Sequence, residues 1–360
     1  MKKYLIFGIA FLWLGCSAEG EDGEYLPSSV KRHQVGTYTI DVFQPDISTS
    51  DEKLPVIYIN DGQWLLGSKG SGQNIFELVS SLISSKKINP VIVVGIHSKA
   101  DRSSMFIPYD DEWVKENWGN YTPNADGYTN DIIKTIIPFV EKNYHAKSDR
   151  QSRAIFGFSL GGLHALWTIL NYSSEFGMAA GSSPSLWVGN DALMYAPNTI
   201  TNPTKIWFDM GTAEWNWYTP FQVNLLNSGL TNGTDLFYYE VFGGTHTTGS
   251  WMNKIVNPIM IFAGSPNLTN RKWIFYLEVI PSQTRPGVYF QRINTVSETV
   301  SGVKFSLGAA AQYSVTNNAG SVGNDGRFEF TGTNDLKIRI QYPGLDTVYT
   351  VSYSTVQSFK

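Results

Sequence analysis

The stretch Gly157-Phe158-Ser159-Leu160-Gly161-Gly162 sets a serine among glycines, after the strand-like run Ser152-Arg153-Ala154-Ile155-Phe156 and before the apolar run Leu163-His164-Ala165-Leu166-Trp167. A chain that turns directly from strand to helix forces the central residue into a strained conformation. Side chains beside it would collide, so such a turn is flanked by glycine. The pattern presents Ser159 as a nucleophile. A Gly-rich turn with an incidental serine is the competing reading, and the helix-forming sequel argues against it.

A serine hydroxyl attacks only when a base takes its proton and a carboxylate orients the base, and on a sheet with this turn the chain order is serine, acid, histidine. Of the five histidines, His33, His97 and His145 precede Ser159. His164 lies five residues on, where an i+5 helical position faces away, and reads as a packed or half-exposed helix residue. His246 remains, in the Gly-rich segment Phe242-Gly243-Gly244-Thr245-His246 after a strand-like run, and is the candidate base. Between Ser159 and His246 stand Glu175, Asp191, Asp209, Glu214, Asp235 and Glu240. Only Asp209 and Glu214 sit at or just past the end of a buried-looking strand, Lys205 to Met210. Catalytic groups collect beyond the carboxyl ends of such strands, which selects Glu214 as the acid and leaves Asp209 to order the turn by accepting backbone hydrogen bonds.

An oxyanion formed on attack needs preorganised N–H donors. Leu160, the first amide of the nucleophile helix, is one candidate. Gln63, in the loop Asp61-Gly62-Gln63-Trp64 after the strand Leu54–Asn60, is the other, a reading compatible with an ordinary turn at Asp61-Gly62.

With these residues in place, the stretch from about Tyr38 to Ala263 resembles the putative-esterase (esterase D-like) family of α/β-hydrolases. The resemblance is carried by Tyr58 to Gln63, Pro90 to Ile96, Gly157 to Gly162, Ser183-Pro184-Ser185-Leu186-Trp187, Gly211-Thr212-Ala213-Glu214, and His246 with Ser250-Trp251. It implies an α/β-hydrolase with a mostly parallel sheet, an oxyanion donor at Gln63, and a substrate pocket bordered by Ser185 and Trp187. Trp64 and Trp251 are assigned to that pocket with them. No metal or organic cofactor is implied.

Elements that could position this site alternate along the chain. Strand-like runs at 37–43, 56–60, 91–96, 154–158, 178–181, 206–210 and 236–242 interleave with helical patterns at 75–83, 129–144, 161–170, 220–226 and 252–262. Continuous apolar strands alternating with helices predict a mostly parallel sheet covered on both faces. The segment from His97 to Asp126, with Arg102, Tyr109, Trp113, Trp118 and Tyr121, lacks periodicity and reads as either a substrate wall or an ordinary loop packed by its aromatics. After the turn-rich linker 264–271 the pattern changes to period two, as in Leu336 to Tyr342, and Asn324-Asp325-Gly326 is a hairpin signal. The expectation is a small, separately folded, immunoglobulin-like β-sandwich over 272–360, either a spacer or a glycan-binding module.

A chain of 360 residues accommodates two domains. Its formal charge of −4, without a Lys/Arg-rich block, argues against a nucleic-acid partner. Met1-Lys2-Lys3, the short apolar run Tyr4 to Leu14, and Leu14-Gly15-Cys16 read as a secretory signal over 1–15. Cys16 is the only cysteine, which excludes an intrachain disulfide, and its place resembles the lipobox of bacterial lipoproteins. Residues 16–32 read as an acidic tether, similar to the surface-export signal of Bacteroidetes-type lipoproteins, with the esterase-like domain over 33–263. The expectation is a surface enzyme, lipid-anchored to the outer membrane through Cys16. Its substrates would be acyl or feruloyl esters of polysaccharide. A siderophore trilactone esterase, an acyltransferase and a catalytically silent glycan-binding protein are the alternatives.

Overall fold

Val56–Asn60, Ile92–Ile96, Arg153–Phe158 and Met178–Ser182 are buried along their whole length, a pattern that only a sheet covered on both faces satisfies. The computed structural model describes residues 27, 29–46, 52–67, 74–196, 200–214, 218–269, 271–281 and 289–357. Cys16 and the expected signal segment lie outside them. In chain order the first strands are β1 (Val30–Val35), β2 (Tyr38–Phe43), β3 (Val56–Asn60), β4 (Ile92–Ile96), β5 (Arg153–Phe158), β6 (Met178–Ser182), β7 (Lys205–Gly211) and β8 (Leu236–Val241). They pair in the order β1-β2-β4-β3-β5-β6-β7-β8. From β4 to β8 every pairing is parallel, and β1 and β2 join antiparallel at the far edge.

Strand β1 corrects the expected tether of 16–32. Only its terminal valines are buried, so its sequence lacks the apolar alternation that marks a strand, and pairing with β2 across the Gly36-Thr37 turn decides its conformation. The segment 97–126 is likewise more regular than expected, with helices at Arg102–Phe106 and Glu112–Trp118, started by Asp101 and Asp111 side chains that accept from Ser104 N and Val114 N. The helix expected over 252–262 divides at Ile255 into Thr248–Lys254 and Val256–Ala263.

The C-terminal strands are β9 (Arg271–Pro281), β10 (Tyr289–Thr299), β11 (Lys304–Ser306), β12 (Gln312–Val315), β13 (Gly320–Val322), β14 (Arg327–Phe330), β15 (Leu336–Tyr342) and β16 (Leu345–Val351). They form two layers, with Trp273 and Phe275 of β9 packing on Tyr342 and Tyr349. The expected separation from the first domain is not what the structure shows. Strand β11 pairs antiparallel with β8, Ser306 opposite Tyr238, so β10, β14 and β13 continue the same sheet. Glu240 on β8 is buried and its carboxylate meets the buried Arg292 of β10, while Gln222 donates to Leu307 O at 2.9 Å. The physical reason is the edge of β8: left uncovered, it would expose unpaired backbone groups and the rings of Phe237 and Tyr238. The change of periodicity after residue 270 marks a change from parallel to antiparallel pairing rather than a break in the core.

Truncation after Thr269 should therefore destabilise the remaining chain severely, since it uncovers β8 and strips Glu240 of its cation, a loss of about 3–5 kcal/mol from the ion pair alone. Denaturant unfolding of full-length and truncated chains checks this. Equal midpoints would show that β8 needs no cover.

Candidate active site

The turn after β5 is built as the glycines suggest. Ser159 has φ 53° and ψ −121° and caps the helix Leu160–Asn171. A Cβ on Gly157 would lie 2.1 Å from Gly161 O, so no side chain fits between strand and helix there. The Ser159 backbone is held from both sides by the end of β6 and the loop that follows it: its N–H donates to Ser182 O at 3.0 Å, and its carbonyl accepts from Ser185 N at 3.1 Å. Ser159 Oγ lies 3.3 Å from Ser185 Oγ.

Across the sheet, the loops after β7 and β8 meet. A Cβ on Gly211 would sit 2.0 Å from Gly244 O, so this contact requires the bare backbone. Ala213 N then donates to Gly244 O at 3.1 Å and Gly243 N to Thr212 Oγ1 at 2.9 Å. The result brings Glu214 to His246, with Nδ1 and Oε2 2.8 Å apart. A neutral imidazole that donates from Nδ1 leaves Nε2 free to accept a proton. Its ring stands edge-on to Trp251, centroids 4.9 Å apart, and Trp251 in turn stacks on Phe158 at 5.2 Å. Trp251 is thus buried between the histidine and Phe158 of β5. Among the described residues Ser159 and His246 do not share a hydrogen bond.

Glu214 is nearly buried, and burial by itself would raise its pKa. The His246 hydrogen bond, the Lys254 charge and the Ser183 hydroxyl outweigh that and hold the carboxyl below its ordinary value. Its Oε1 accepts from Ser183 Oγ and Gly211 N, both at 2.7 Å. Asp209 accepts from Ser183 N at 3.3 Å, as a turn-ordering residue would, and also from Ser182 Oγ and Trp207 Nε1.

Sequence reasoning passed over Lys254. Its Nζ is 2.8 Å from Asp209 Oδ1, 2.7 Å from Ser183 Oγ and 3.4 Å from Glu214 Oε1, with the side chain 2% exposed. A signal existed, because Lys254 is the sole charged residue between Trp251 and Ala263.

On the opposite side, Asn60 Nδ2 donates to Gly161 O at 2.9 Å, which ties the loop after β3 to the start of the nucleophile helix. Asp61, with φ 60° and fully buried, is gripped by Arg102 through two bonds of 2.8 and 2.7 Å. Gln63 holds Ser98 through its side chain, Nε2 to Oγ at 2.6 Å and Oε1 from N at 3.0 Å. The backbone N–H groups of Gln63 and Leu160 have no partner among the described residues. Trp64 is 45% exposed. Trp187 forms an edge-to-face cluster with the partly exposed Trp113 and Trp118, centroids 5.3 to 5.8 Å apart, so two residues of the segment 97–126 border the loop that carries Ser185. His164 is entirely buried between Asn60 and Thr129, and burial pulls its pKa down to about 3, which fixes it as a neutral core residue. Among the described residues no group of three or more His, Cys, Asp or Glu side chains could hold a metal ion.

A largely parallel sheet with a serine at the strand-to-helix turn and a His–Glu pair at the ends of later strands is the architecture of an α/β-hydrolase-like fold. The chain belongs to the family described as Putative esterase, whose model matches residues 35–259, and it is a hydrolase of ester bonds. It is 26% identical over 186 residues to the ferri-bacillibactin esterase BesA of Bacillus subtilis, covering 48% of this chain and 62% of that protein. It is also 26% identical over 166 residues to an endo-1,4-beta-xylanase/feruloyl esterase of Xylanibacter ruminicola, covering 44% of this chain and 19% of that one. The match thus spans less than two thirds of either relative. The fold is similar to that of the BES protein from Bacillus cereus, with a TM-score of 0.54 at 21% identity, over 66% of this chain and 97% of that one.

Of the two carboxylates, only Glu214 touches His246. Glu214→Gln should lower kcat on a small ester by about 10³–10⁴-fold, whereas Asp209→Asn should stay within about tenfold of wild type. Steady-state kinetics on folded variants measure the ranking, and its reversal would transfer the orienting role to Asp209.

Proposed function

We propose that the protein is a serine carboxylic-ester hydrolase working through an acyl-enzyme on Ser159, His246 and Glu214. The observations that support this reading are the strained Ser159 turn and the preformed His246–Glu214 pair. When an ester binds, the Ser159 hydroxyl turns from Ser185 toward His246 Nε2, gives up its proton and attacks the carbonyl carbon. The oxyanion is received by the N–H groups of Leu160 and Gln63. His246 then protonates the departing alcohol, and water reverses the sequence to release the acid. Glu214 keeps the imidazole in its productive tautomer and supports the charge it acquires.

The substrate class we favour is acyl or feruloyl esters borne on polysaccharide. The aromatic wall of Trp113, Trp118 and Trp187 beside Ser185 suits a planar acyl group or a sugar ring, and a relative carries a feruloyl esterase name. Likeness to the ferri-bacillibactin esterase favours a second reading, a siderophore trilactone esterase. Cys16 is read as the point of attachment to the outer membrane, with the enzyme facing outward. Cys16→Ala should move the full chain from the membrane fraction to the soluble one without altering turnover of a small ester, and a variant still held in the membrane fraction would refute the lipid anchor.

Ser159→Ala should abolish labelling by a fluorophosphonate and lower kcat by several orders of magnitude while the melting temperature stays nearly constant. Wild-type rates on acetyl, butyryl and feruloyl esters and on a catecholate trilactone decide the substrate. Preference for the trilactone would replace the polysaccharide reading, and labelling of both proteins alike would remove Ser159 from its role.

A further inference from the structure

A lysine buried to 2% exposure pays a large desolvation cost unless each of its three N–H groups finds an oxygen. Lys254 finds three: Asp209 Oδ1 at 2.8 Å, Ser183 Oγ at 2.7 Å and Glu214 Oε1 at 3.4 Å. Two of these belong to carboxylates, one at the end of β7 and one in the turn just beyond it, both buried. Two anions sharing a dry site would compete for a proton, and the one that gained it would cease to act as an anion. The lysine prevents that competition. Resting on the Ser159, His246 and Glu214 reading above, we propose that Lys254 is a positioning residue of this site, which anchors Glu214 Oε1 and cancels the charge of Asp209 so that Glu214 Oε2 stays ionised for His246.

The surroundings agree with this division of labour. Glu214 presents its two oxygens to different partners: Oε2 to His246, and Oε1 to Lys254, Ser183 Oγ and Gly211 N. Asp209 is held on its other oxygen by Trp207 Nε1 at 3.0 Å, so it too is fixed and cannot swing toward the histidine. The charged and titratable groups facing the cluster are Asp209 from β7, Glu214 from the turn after it, His246 from the loop after β8, Tyr239 of β8 opposite Asp209, which burial and then the neighbouring charges keep protonated, and Tyr218. The buried Tyr218 hydroxyl donates to Pro184 O, and burial followed by the Glu214 charge keeps it protonated. Asp209, Lys254 and Glu214 together carry one net negative charge, which the proton taken up by His246 during attack would neutralise. Removing Lys254 leaves two carboxylates that share a proton, and Glu214 then reaches its ionised state only at higher pH.

The test is the pH profile of kcat and KM on a small ester with the full chain. Lys254→Met should lower kcat near pH 7 by about 100-fold with KM within about twofold, and displace the acidic limb upward by about one pH unit. The double variant Lys254→Met with Asp209→Asn restores the charge balance, and should bring the limb back and recover at least about tenfold of the lost rate. Lys254→Arg, which keeps the charge, should keep the limb near its wild-type position. Should Lys254→Met alone not fold, the charge-balanced double variant takes its place, with the limb expected at the wild-type position and kcat within about tenfold. A folded Lys254→Met with an unmoved limb, or a folded double variant as inactive as Glu214→Gln, would overturn the proposal and leave Lys254 a structural brace. Failure of the underlying reading shows separately, as Ser159→Ala that retains turnover or fluorophosphonate labelling.

Discussion

Strand β5 and the helix that follows it approach so closely at Gly157 and Gly161 that the space of one methyl group does not exist between them, and the geometry of the site follows from that contact. It forces Ser159 into a conformation that most residues avoid, at a cost of about 1–3 kcal/mol that the surrounding hydrogen bonds must over-determine. They do so from two directions. The last residue of β6 binds the Ser159 N–H and the loop after it the carbonyl, and Asn60, at the end of β3, binds the Gly161 carbonyl. One strained residue thereby registers the nucleophile, the Ser185–Trp187 segment and the Gln63 loop against each other.

The His246 side is organised by charge. Glu214, Asp209 and Lys254 are all nearly withdrawn from water, and each is tolerated only because the others are present. A second buried set does the same work on the neighbouring strands, where Arg292 of β10 lies beside Glu240 of β8 and Glu278 of β9. Burial, with the neighbouring Glu240 charge adding to it, keeps the Glu278 carboxyl well above its usual range despite the arginine, a strained arrangement that ties the C-terminal strands to β8. The first set shapes the site; the second joins the two halves of the chain.

The aromatic surfaces around the Ser159 turn are not dictated by the core. The β3 loop, the helix Glu112–Trp118 and the loop from Ser183 to Trp187 carry the exposed or half-buried aromatics Trp64, Trp113, Trp118 and Trp187. These side chains lie outside the sheet, and relatives of this chain are named for feruloyl and siderophore esters alike.

Local sequence alone determined the nucleophile turn, because Gly-x-Ser-x-Gly between a strand and a helix has few conformations open to it. It also marked the parallel strands, whose two-sided burial is written as continuous apolar runs, and the order of serine, glutamate and histidine. Other features depend on partners distant in the chain. Strand β1 is polar through its middle and exists through its pairing with β2. Trp251 is one aromatic among many until the fold packs it between His246 and Phe158. The C-terminal strands alternate as an independent sandwich would, yet the uncovered edge of β8 draws them into one sheet. Lys254 is one charged residue among uncharged neighbours until Asp209 and Glu214 are folded against it. Pairing across an edge and compensation of buried charge are long-range interactions, and only the closed tertiary structure decides them.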